Sequence, residues 1–134
     1  MTAIAKVACA EVPEPPGATW SNALRVGDEL VISGMTAHPA AGLDTAAQAR
    51  ECLRRIEALA AAAGGSLDNV VKLTVYLTDI ADKAAVGEVR RVLFTAPYPA
   101  STLVSVAALV FPELKVEIDA QIRLDVQRSK ALCA

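Results

Sequence analysis

The sequence predicts an α+β sandwich, a mixed sheet of five to six strands with two helices on one of its faces. Two observations lead there. Segments rich in β-branched residues alternate with two segments whose apolar residues recur at three- and four-residue steps, in the order strand, strand, helix, strand, helix, strand, strand. Only 4% of the residues are aromatic while 54% are hydrophobic, so the core is expected to be Ala, Val, Leu and Ile in closely packed layers. At 134 residues the chain supplies one core, and residues 1–134 are read as a single domain.

A short strand over Ile4 to Cys9 is followed by the Pro-rich PEPPG (Pro13 to Gly17). NALRVGDELVISG then holds two extended runs about Gly27-Asp28, the signature of a tight hairpin, and leaves Ser33-Gly34 at a strand end. HPAAGL is a loop and contains the sole histidine, His38. In DTAAQARECLRRIEALAAAAGG, Thr45 and Gln48 have capping-box spacing and Gly64-Gly65 supplies a left-handed stop. Between them Ala49, Cys52, Leu53, Ile56, Leu59, Ala60 and Ala63 form an apolar stripe opposite Arg50, Arg54 and Glu57.

VVKLTVYLTD reads as a strand. A second helix is expected from Ile80 to Phe94, capped by Asp79 or Asp82, with Val86, Val89 and Leu93 inward and Lys83, Arg90 and Arg91 outward. Gly87 inside it costs about 1 kcal/mol against alanine, so either a neighbour packs closely there or space is needed. PASTLVSVAALVF (Pro99 to Phe111) and LKVEIDAQIRLDV (Leu114 to Val126) read as two strands joined by a turn at Pro112-Glu113. In the last, Val116, Ile118, Ala120, Ile122 and Leu124 share one face, and Lys115, Glu117, Asp119, Gln121 and Arg123 the other.

LVSVAALV is apolar or small on both faces, so it is expected to be buried on both, although two helices cover only one. The economical cover for the second face is another copy of the chain, hence an obligate oligomer. If that face lies in a subunit interface, Glu117 and its row become site candidates there.

Thirteen Lys+Arg against 15 Asp+Glu, a net charge of −2 with no basic run, give no footprint for nucleic acid. No apolar run approaches the length of a membrane span, and the N-terminal stretch, with Lys6 and Glu11, lacks a signal-like apolar region. A cytoplasmic protein is expected. Cys9, Cys52 and Cys133 are scattered and form no C-x-x-C pair, so they are read as reduced thiols. With one histidine and no cysteine cluster, no metal site is expected. His38 could reach a cleft as an acid or base, though no orienting partner is visible beside it.

The segments WSNAL (Trp20 to Leu24), ISGM (Ile32 to Met35), SLDNVVKLTVYLTDIAD (Ser66 to Asp82), PAST (Pro99 to Thr102) and VEIDA (Val116 to Ala120) resemble, in order and spacing, the landmarks of the reactive intermediate deaminase, or YjgF-like, family. The resemblance implies a chorismate-mutase-like protomer, a homotrimer with small-molecule clefts between subunits, and cofactor-free hydrolysis of enamines and imines. It implies that Glu117 positions and polarises the attacking water, and that Ser33 and Gly34 line the cleft. In the family an arginine after the P-A pair clamps the substrate carboxylate; here that position is Ser101, followed by Thr102. A family asparagine aligns with Gly87, and a tyrosine with Trp20, which keeps an aromatic wall without the phenol.

A serine hydroxyl has neither the charge nor the fork of a guanidinium, so a substrate less anionic than the usual α-imino acid is expected. The leading reading is therefore a deaminase-like hydrolase retuned at Ser101, Thr102, Trp20 and Gly87. A non-catalytic homotrimer that binds a small metabolite or a partner is the alternative.

Overall fold

The computed structural model describes residues 1–132; Cys133, read above as a reduced thiol, lies outside them. Its strands are β1 (Ile4–Lys6), β2 (Ala23–Val26), β3 (Glu29–Met35), β4 (Val70–Leu77), β5 (Ala100–Ser105) and β6 (Val116–Arg123), and its helices α1 (Thr45–Ala62) and α2 (Lys83–Leu93). They form one mixed sheet in the order β1-β2-β3-β6-β4-β5. All pairings are antiparallel except β4 with β5, which runs parallel because α2 carries the chain back to the starting edge.

The core lies between the sheet and the helices. Val116, Ile118, Ala120 and Ile122 of β6 and Leu73, Val75 and Leu77 of β4 are buried with Cys52, Leu53, Ile56 and Leu59 of α1 and Val86 and Val89 of α2. The alternation expected for the last strand therefore holds, with Glu117 and Asp119 on the face away from the helices. Cys52 is a packing residue: burial, foremost, pushes its thiol up to about 12, far from a nucleophile's range.

The hairpin turns where Gly27-Asp28 placed it, with Gly27 left-handed at φ 61°. The stop of α1 is also as expected: Gly64 takes φ 86°, and the Gly65 N–H donates to Ala60 O at 2.8 Å.

Three local expectations are corrected. The cap of α1 is Asp44, whose Oδ1 accepts from Ala47 N at 2.8 Å. Thr45 instead donates its hydroxyl to Asp82 at 2.6 Å, and Gln48 is fully buried, bridging to a distant loop. A 3-10 turn at Ile80–Asp82, capped by Asp79, precedes α2, which starts only at Lys83. Finally, β5 ends at Ser105, where its partner β4 ends at Leu77, and the apolar Ala107 to Phe111 leaves the sheet. As the edge strand, β5 is mostly exposed in the single chain, which leaves it open to the second copy expected to cover it.

Candidate functional site

A cavity of ≈ 820 Å³ beside β3 and β6 brings Trp20, Ser33, Gly34, His38 and Glu117 together. Its floor is a β-bulge. Ile32 pairs with Ala120 and Met35 with Ile118, so three steps on β3 face two on β6, and the surplus residue falls at Ser33-Gly34. A Cβ at Gly34 would stand 2.7 Å from Glu117 Cδ and 2.9 Å from its Oε2. Only a glycine lets the carboxylate lie against that backbone.

The Pro-rich segment forms the outer wall, held by Asn22. This buried amide donates to Val12 O at 3.1 Å and accepts from Trp20 Nε1 at 3.2 Å, while its backbone N–H donates to Glu14 at 2.7 Å. Ser33 faces the cavity, but its hydroxyl donates to Ser21 O at 2.6 Å and so braces this wall. His38 has the orienting partner that its sequence neighbours lack. Its Nδ1 is 3.3 Å from Glu113 Oε1, its ring stacks on Phe111 at 3.9 Å between centroids, and its carbonyl accepts from Arg55 at 2.9 Å.

The Glu117 carboxyl is half-buried. Burial, and secondarily the negative charge of Asp119, raises its pKa above the usual carboxylate range. Asp119 in turn accepts from the Tyr76 hydroxyl at 2.9 Å. Such a group takes and returns protons nearer neutrality than an exposed glutamate does.

Ser101 and Gly87 lie elsewhere, at a second cavity of ≈ 380 Å³ lined also by Leu73, Arg90, Phe94 and Tyr98. Ser101 pairs in register with Leu73, whose side chain faces the helices, and its hydroxyl accepts from Arg90 Nη1 at 2.7 Å. A Cβ on Gly87 would meet nothing within 4 Å, so no contact within the chain requires that glycine. Thr102, one residue on, points to the opposite face and accepts from Lys72 Nζ at 2.7 Å. Within one chain, then, Ser101 and Gly87 are on the helix face of the sheet and Glu117 is on the other. Arg90 is the residue sequence reasoning missed: the helical period assigned it to the outer face and gave no sign that it reaches β5. Among the described residues no cluster of three His, Cys, Asp or Glu side chains could hold a metal.

A family model described as endoribonuclease L-PSP matches residues 11–123. The chain belongs to that family. Among solved structures, a protein of unknown function from Pseudomonas aeruginosa, PA3499, is 51% identical with a TM-score of 0.95, over 98% of this chain and 100% of that one. The RutC family protein y4sK of Sinorhizobium fredii is 43% identical over 119 residues, 83% of this chain and 93% of the relative. The 2-iminobutanoate/2-iminopropanoate deaminase of Escherichia coli is 36% identical over 102 residues, 71% of this chain and 79% of the enzyme. The resemblance drawn from ISGM, PAST and VEIDA is thus correct: this is a YjgF-like, reactive intermediate deaminase family protein, and a deaminase-like function holds at the level of the family. No described helix is long and apolar enough to cross a membrane.

Proposed function

We propose that the chain is a cofactor-free hydrolase of a small reactive imine or enamine, working as a homotrimer whose clefts lie between subunits. The observation that supports this most is the Glu117 carboxyl, half-buried, with a raised pKa, and seated against the bulge at Gly34 inside the larger cavity. In this reading Glu117 accepts a proton from water as the oxygen bonds to the imine carbon, and returns it to the nitrogen. The carbinolamine then loses its hydroxyl proton to the departing nitrogen and the C–N bond breaks, so that one imine and one water give one carbonyl compound and one ammonia. Kinship supports the trimer, and the placement of Glu117 and Ser101 on opposite faces of one chain's sheet supports a site completed by a neighbouring copy. The substrate differs from an α-imino acid clamped at the strand, because Ser101 offers a neutral hydroxyl there.

The test is ammonia release from imines generated in situ by an amino-acid or amine oxidase, with the panel spanning α-carboxylate and neutral types. Acceleration by the wild type and not by Glu117→Ala supports the hydrolase. Rates equal to the uncatalysed ones on every member would overturn it in favour of a binding trimer.

Two further outcomes belong to Glu117. Gly34→Ala is expected to fold, because the displaced atoms are the end of a flexible side chain, yet to slow ammonia release at least about tenfold by expelling the carboxylate. Unchanged turnover in that variant would mean the bulge does not position Glu117.

Glu117→Gln is expected to melt higher than wild type at pH 7. The fold holds this proton more tightly than the unfolded chain does, so stability falls as pH rises from the unfolded value of 4.5 through the raised folded one. Melting curves of the two proteins that stay parallel from pH 4 to pH 8 would refute the linkage.

A further inference from the structure

The smaller cavity, beneath α2, has its own electrostatics. Arg90 is half-buried there, and among the described residues no carboxylate lies within ion-pair distance of it, whereas the adjacent Arg91 reaches Glu88 at 3.6 Å. Burial without a counter-ion lowers the Arg90 pKa, as expected for a cation removed from water without compensation. A guanidinium can only donate, so in the 2.7 Å contact Ser101 Oγ is the acceptor. The hydroxyl hydrogen of Ser101 is consequently directed away from Arg90 and is free to donate. One charged and one neutral donor therefore stand side by side at the cavity wall. Arg91, paired with Glu88, also borders the cavity, and the remaining wall is mainly apolar: Leu73, Phe94, Pro99 and the Tyr98 ring, with open space at Gly87.

We propose that this cavity binds a carboxylate attached to an apolar body of several carbons, with Arg90 and the Ser101 hydroxyl on the carboxylate and Leu73 and Phe94 against the body. One available guanidinium and one hydroxyl match a monoanion. A phosphate dianion would call for a second uncommitted cation, and Arg91 is engaged with Glu88. The body is selected because a small anion alone would leave the apolar wall wet. Arg90 thus returns to this region, from the helix, a positive charge that the strand sequence lacks. The inference rests on the hydrolase reading only in making this ligand the substrate; binding stands by itself.

The test is isothermal titration of the full chain with 3-phenylpropanoate, its neutral analogue 3-phenylpropanamide, acetate and inorganic phosphate. The expected result is that 3-phenylpropanoate binds at least about tenfold more tightly than the other three. Arg90→Ala should remove that preference, Arg90→Lys should retain part of it, and Ser101→Ala should weaken the carboxylate alone, all with unchanged thermal melting. Absence of 3-phenylpropanoate binding, equal affinity for acid and amide, or an Arg90→Ala variant indistinguishable from wild type would overturn the proposal. Arg90-dependent binding without ammonia release on any imine would overturn the hydrolase and leave this site standing. Hydrolysis indifferent to Arg90, with no carboxylate preference, would do the reverse.

Discussion

Glu117→Ala is expected to lower the rate of imine hydrolysis by about 10²–10⁴-fold, the usual worth of a positioned acid–base group. The loss should appear in kcat rather than in KM, since the carboxylate is needed to move a proton and not to anchor the substrate. The cavity holds little to replace it. Glu14, the other carboxylate on its wall, accepts from the backbone N–H of Asn22 and is salt-bridged to Lys6, whose hydrogen bond foremost lowers its pKa. His38 turns its Nδ1 toward Glu113. A steady-state assay on the best imine of the panel decides the matter. A loss below about fivefold would remove Glu117 from the chemistry.

Gln48→Leu is expected to cost about 3 kcal/mol, a fall in melting temperature of roughly 10 °C. Gln48 is fully buried and makes three hydrogen bonds: Nε2 donates to Leu43 O at 3.0 Å and to Glu113 O at 3.1 Å, and Oε1 accepts from Lys115 N at 2.8 Å. Leucine fills nearly the same volume but leaves those part-buried backbone groups without their side-chain partners. The damage should reach the site, because the same bonds fix the approach to β6, which carries Glu117, and the position of Glu113 beside His38. Thermal unfolding of the two proteins under one condition measures the cost. A variant that melts with wild type would mean that water enters and replaces the lost partners.

Where a single period decides an element, the sequence was legible. The stripe from Ala49 to Ala63, the Gly27-Asp28 turn and the alternation from Val116 to Leu124 each depend on neighbours a few residues apart, and each is found as read. The errors fall where a distant partner overrides the local signal. Thr45 and Gln48 fit a capping box, but Asp82 and the 113–115 loop compete for them and leave the cap to Asp44. The run Ala107 to Phe111 is as apolar as a strand, yet β4 has no residues left to pair with it, and Phe111 stacks on His38 instead. Candidate residues near β3 and β6 assembled because adjacent strands carry them. Arg90 was invisible because its meeting with Ser101 depends on how α2 docks over β5.

The opposite faces occupied by Glu117 and by Ser101 with Arg90 also bear on how such a protein can change over time. Within one chain the sheet separates the two sets of side chains, so substitutions in one do not disturb the packing of the other, and their effects on the stability of the protomer should be nearly additive. A lineage can thus exchange what it recognises at the β5 edge while its proton-transfer machinery remains intact beside the bulge.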